Sequence, residues 1–70
     1  MPLSAPAQRV LDRAGHTVSV PESARALGIS SWLAYELIKR GEFPVPTLRL
    51  GARHRVPTEP LRRVLEEMIQ

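Results

Sequence analysis

Residues 19–41 read SVPESARALGISSWLAYELIKRG, and this stretch decides the fold. Ser19 and Glu22 have the S-x-x-E spacing in which a serine hydroxyl and a carboxylate cap a helix start reciprocally. Pro21 falls in the first turn, where its missing N–H costs no hydrogen bond. The spacing predicts a helix over about 20–27 with Ala24 and Leu27 turned inward, stopped at Gly28. Ile29 fills the corner, and Ser30 is placed to cap a second helix over about 31–40. There Ala34, Leu37 and Ile38 recur at i, i+3 and i+4, which predicts a buried stripe. Lys39 and Arg40 stand in the last turn, where positive charge complements the helix dipole, and Gly41 is the expected left-handed cap. Two helices joined through Gly28-Ile29-Ser30 have the form of a helix-turn-helix.

Downstream, Thr47-Leu48-Arg49-Leu50 alternates at strand period, Gly51-Ala52 makes a turn, and His54-Arg55-Val56 reads as the returning strand. This predicts a hairpin wing over about 47–56. Leu48, Leu50 and Val56 are expected to face the core, with Arg49, Arg53 and Arg55 facing water or a partner. Thr58 is placed to cap a last helix over about 59–69, with Pro60 in its first turn. Leu61, Val64, Leu65 and Met68 (i, i+3, i+4, i+7) would pack that helix back onto the domain. Upstream, residues 1–6 are expected to fray, and 7–14 (AQRVLDRA) predict a short helix with Val10, Leu11 and Ala14 on one side, ended by Gly15. Thr17-Val18 reads as a short strand or an extended lead-in. The expected fold class is thus mainly α with a small two-stranded hairpin, a winged helix-turn-helix. It is divided into an N-terminal extension over 1–16 and a domain over 17–70.

Seventy residues allow one domain with a small core. The absence of cysteine excludes disulfides and thiolate metal sites. MPLSAPAQRV has neither the basic start nor the apolar run of a signal peptide, and no apolar run is long enough to span a membrane. A cytoplasmic location, in a bacterial host or its nucleoid, is expected. Net charge is +3 and every basic residue except Lys39 is arginine. Lys39, Arg40, Arg49, Arg53 and Arg55 stand against Glu42 alone, giving +4 over 39–55, whereas residues 57–70 sum to −1. Positive potential is concentrated in the middle of the chain, as an anion-binding face requires. His16 and His54 lack ligand spacing, and no Gly-rich phosphate loop or nucleophile elbow is present. No metal, no cofactor and no enzymatic activity are expected.

The strings PESARALGIS, YELI, RGEFPVP and LGARHRVPTEPL resemble the winged helix-turn-helix of phage and mobile-element excisionases, which are related to the DNA-binding heads of MerR-type regulators. The resemblance spans about Thr17 to Met68. It implies that Ser31 to Arg40 is a recognition helix, that Tyr35 occupies the family's tyrosine near the DNA backbone, and that Lys39 and Arg40 fill the basic positions ending that helix. Gly51 to Arg55 would be the wing, with Arg55 as the arginine preceding the last apolar wing residue, Val56. Two features depart from the pattern. The first turn reads Ser31, Trp32, Leu33 where basic and hydroxyl residues are common in relatives, and Glu36 replaces a frequent basic residue. Guanine readout by arginine does not carry over to this helix. Contact with thymine methyls, or backbone and shape recognition, suits these residues better.

The candidate DNA-contacting residues are Ser30, Ser31, Trp32, Tyr35, Lys39, Arg40, Arg53, His54 and Arg55. Each has a plainer reading. Ser30 is first a helix cap, though the N–H groups at that helix start can meet a phosphate. Trp32 is either a core anchor or an indole turned toward DNA or a neighbouring protein. Tyr35 packs its ring under the wing with its hydroxyl in water or on a phosphate. The wing arginines are a solvated hairpin or a groove contact. The expected partner is double-stranded DNA, bent at repeated attachment sites, with cooperative self-association and a tyrosine or serine integrase as partner protein. The alternatives are a small MerR-like transcriptional regulator at a promoter and a protein-interaction module built on Trp32, Leu33 and the last helix.

Overall fold

The computed structural model describes residues 3–68. In chain order the elements are α1 (Ala5–Arg13), β1 (Thr17–Ser19), α2 (Val20–Leu27), α3 (Ser31–Arg40), β2 (Leu48–Leu50), β3 (Arg53–Pro57) and α4 (Thr58–Met68). The architecture is a mainly helical winged helix-turn-helix.

The caps form as the sequence predicts. Glu22 N donates to Ser19 Oγ at 3.2 Å, and Leu33 N donates to Ser30 Oγ at 3.1 Å. The reciprocal half of the first capping box is not made; Glu22 Oε1 lies 3.7 Å from Arg25 Nη1 instead. The turn between α2 and α3 depends on Gly28, whose φ of 79° lies in the left-handed region that a side chain disfavours. From there Ile29 N reaches back to the Ala24 carbonyl and Gly28 N to that of Arg25, the paired bonds of a Schellman motif. Glu42 N and Gly41 N repeat the arrangement at the end of α3, to the carbonyls of Leu37 and Ile38.

The sheet has three strands, in the order β1-β3-β2, all antiparallel. The expected hairpin is present, and Thr17–Ser19 is a third strand on its far edge. Leu48 pairs with Arg55 and Leu50 with Arg53, so both leucines share a face with these two arginines rather than with Val56, and Arg49, paired with His54, lies on the other face. They are exposed (45% and 59%), which corrects the expectation that they face the core. The physical reason is the two-residue turn Gly51-Ala52. It fixes Leu50 opposite Arg53, and strand alternation then sets the parity of every other position. Val56, paired with the buried Val18, lies on the inner face and is fully buried.

Five further expectations are revised. Residues 5 and 6 do not fray: α1 starts at Ala5, with Ser4 Oγ accepting from Ala7 N at 3.3 Å, and it ends at an extended Ala14 rather than at a left-handed Gly15. Its Ala7, Val10 and Leu11 enter the same core as Val18, Val20, Ala24, Leu27, Val56, Leu61 and Leu65. Thr58 does not cap its own helix. Its hydroxyl donates to the Gly15 carbonyl at 2.8 Å and its N–H to that of His16, pinning the α1–β1 link to the start of α4. Met68, expected to pack inward, is exposed at the end of α4. In α3 Ala34 is fully buried, but Leu37 and Ile38 are only half-buried. Residue 69, included in the expected last helix, and residues 1 and 2 of the expected frayed start lie outside the described residues.

Candidate nucleic-acid interface

β1 runs directly into α2, and its register sets Ser19 opposite Arg55. The N-terminus of α2 is therefore held against the wing. α3 brings Tyr35 to the same place, so that Ser19, Val20, Tyr35, Arg53, His54 and Arg55 line one open groove. Sequence separation between these residues is large; the short β1–β3 pairing closes it.

Within the groove the basic residues differ in freedom. Arg55 is half-buried, donating from Nε to Thr17 Oγ1 at 3.1 Å and from Nη2 to the Thr17 carbonyl at 3.5 Å. Arg53 is exposed near the wing tip. Arg49, on β2, turns its Nε to the Gly51 carbonyl at 3.4 Å. Among the described residues, none of these three arginines has a carboxylate within ion-pair distance. By contrast, Arg25 pairs with Glu22, Lys39 with Glu36, Arg40 with Glu42 and Arg62 with Glu59, at 3.4 to 4.0 Å. The unneutralised cations of the second half of the chain thus gather on the wing, with Arg63 on α4 apart from them.

His54 sits on the inner side of the sheet with Val56, not beside Arg53 and Arg55. It is half-buried, and its Nδ1 is enclosed without a hydrogen-bond partner. It belongs to the groove's floor more than to the wing's outer edge.

On α3, Ser30 and Ser31 are exposed at the first turn, and Trp32 is 70% exposed, which settles its two readings against a core anchor. Leu33 and Tyr35 are exposed beside it. Lys39 and Arg40 are exposed at the far end of the helix. Two surfaces result. Tyr35, Arg53, His54 and Arg55 meet in the groove, whereas Trp32, Lys39 and Arg40 lie along the outer side of α3.

A neighbouring groove shares Ser19 and Arg55 with the first and continues past Glu22 to Arg13 and His16. Ser19, Arg13 and His16 lie outside the set of residues that the sequence points to. The available signal was Thr17-Val18: read as a strand paired with 55–57, it places both the α2 start and the end of α1 beside Arg55.

Among the described residues no helix is long and apolar enough to cross a membrane. Compared with protein-family models, with curated proteins and with solved structures, the chain matches none. The class that fold and site define is a winged-helix-like domain, mainly helical, with a small antiparallel sheet.

Proposed function

We propose that this protein binds double-stranded DNA through α3 and the wing, as an excisionase that binds and bends attachment-site DNA and directs an integrase toward excision. The observation that carries the DNA reading is the contrast in charge pairing. Every cation of α2 and α3 has a carboxylate partner, while Arg49, Arg53 and Arg55 of the wing have none, and Arg53 and Arg55 share a groove with Tyr35 of α3. Uncompensated guanidinium groups on both faces of a narrow hairpin suit a polyanion whose phosphates are regularly spaced. Such a protein does no covalent chemistry; its effect on recombination comes from shaping DNA and assembling on it. Support for excision in particular comes from the resemblance of PESARALGIS, RGEFPVP and LGARHRVPTEPL to excisionases.

The test is a reconstituted recombination reaction containing an attachment-region duplex, its integrase and the purified protein. Stimulated excision, suppressed integration and a ladder of complexes on repeated sites are the expected results. Unchanged recombination with tight binding at a promoter would replace this reading with a small transcriptional regulator. Failure to bind any duplex would favour a protein-interaction module.

A further inference from the structure

The outer surface of α3 carries an unusual set of groups for a helix of this kind. At 3.6 residues per turn, Trp32, Glu36 and Lys39 all fall within about 40° of the direction opposite the buried Ala34. They form one outward ridge at i, i+4 and i+7. Tyr35 lies to one side of the ridge and lines the wing groove, which fixes the side on which the wing stands. Leu33 and Leu37 flank the other side. Trp32, in the first turn, is the most exposed of the large apolar residues. Glu36, one turn later, is half-buried and keeps its carboxylate 3.7 Å from the Nζ of the exposed Lys39.

We infer that this ridge reads pyrimidines in the major groove, Trp32 through the methyl group of a thymine and Glu36 through the amino group of a cytosine. The inference rests on the proposed binding of duplex DNA and adds the bases chosen. The chemistry follows from what each group can do. An indole offers a broad apolar edge and one N–H donor; the thymine methyl is the one apolar group on the major-groove edge. A carboxylate only accepts. It is attracted by the cytosine amino group and repelled by the two acceptors, O6 and N7, that guanine presents. Lys39, the carboxylate's partner, offsets the charge that Glu36 brings toward the phosphates. A 3.7 Å pair whose lysine stands in solvent is weak enough to open when a base amino group competes. Base edges are met mainly by the N-terminal part of such a helix, where Trp32 stands, with Glu36 one turn further along the same ridge. No arginine, asparagine or glutamine lies on the ridge to select guanine or adenine.

The experiment is selection of bound sites from a random duplex library by the full chain, compared with Trp32→Ala and Glu36→Gln, followed by base-analogue titrations on the selected site. The wild-type chain selects a thymine and a cytosine on the α3-facing side. Replacing that thymine by deoxyuridine, which removes only the methyl, weakens wild-type binding several-fold and leaves Trp32→Ala unaffected. Glu36→Gln, able to donate as well as accept, shifts the cytosine position toward adenine by about 5-fold or more. 7-Deazaguanine opposite the cytosine leaves affinity unchanged, since its N7 is not read. If all three proteins select the same bases, or deoxyuridine has no effect, or 7-deazaguanine weakens binding, the inference is wrong while DNA binding stands. If no duplex is enriched, the underlying DNA-binding reading fails with it.

Discussion

Arg55 donates from Nε to the hydroxyl of Thr17 at 3.1 Å, across a strand pairing that joins residues 38 positions apart. That bond couples the wing to the strand leading into α2, so one guanidinium has both a structural and a surface role. Arg53, two residues nearer the tip, makes no such bond. Arg55→Ala is therefore expected to lower stability by about 1–2 kcal/mol as well as weaken DNA binding. Arg53→Ala should weaken binding with a stability change within about 0.5 kcal/mol. Urea unfolding alongside binding titrations separates the two; equal stability losses would mean that the Thr17 contact contributes nothing.

The hairpin parity makes a second prediction. Leu48 and Leu50 lie outside and Val56 inside, although all three are apolar. Leu50→Gln should change stability by no more than about 0.5 kcal/mol, whereas Val56→Ala should cost about 2–3 kcal/mol. Chemical denaturation of the two variants checks the register, and a large loss from Leu50→Gln would contradict it.

α1 makes a third. With Ala7, Val10 and Leu11 buried in the common core, it is structural and not an appendage. Leu11→Ala should cost about 2–5 kcal/mol, a large share of the stability of so small a domain. A chain starting at Gly15 should lose its cooperative unfolding transition by calorimetry. A sharp transition retained without α1 would show that the remaining elements close the core alone.

Thr58 makes a fourth. Its hydroxyl is buried and donates to the Gly15 carbonyl at 2.8 Å. Thr58→Val, close in shape, should cost about 1–3 kcal/mol by leaving that carbonyl without its donor. Ser30→Ala should cost about 1 kcal/mol through loss of the α3 cap. Thermal unfolding reads both, and a neutral Thr58→Val would indicate that solvent replaces the bond.

What was legible in the sequence depended on how local its cause was. Ser19, Ser30, Gly28 and Gly41 act through bonds within five residues, so the starts and ends of α2 and α3 follow from spacing alone. Hydrophobicity alone points Leu48 and Leu50 inward, whereas parity points them outward. The turn Gly51-Ala52 already fixed which residues share a face, and it sits in the same short segment. Thr58 looked like a cap because it precedes a helix. Its hydroxyl is claimed by Gly15, 43 residues earlier, and no local pattern reveals that. The same holds for the site. Trp32 follows from helix periodicity and Tyr35 from the resemblance, but the meeting of Ser19, Tyr35 and Arg55 in one groove needs the β1–β3 pairing.

A salt titration of duplex binding by the wild-type chain and Arg53→Ala tests whether the wing is an anion grip. With about five phosphate contacts, the logarithm of the binding constant should fall against the logarithm of salt concentration with a slope of roughly −4 to −5. Arg53→Ala should make that slope shallower by about 1. A slope near zero, or one that Arg53→Ala leaves unchanged, would contradict DNA binding through this wing.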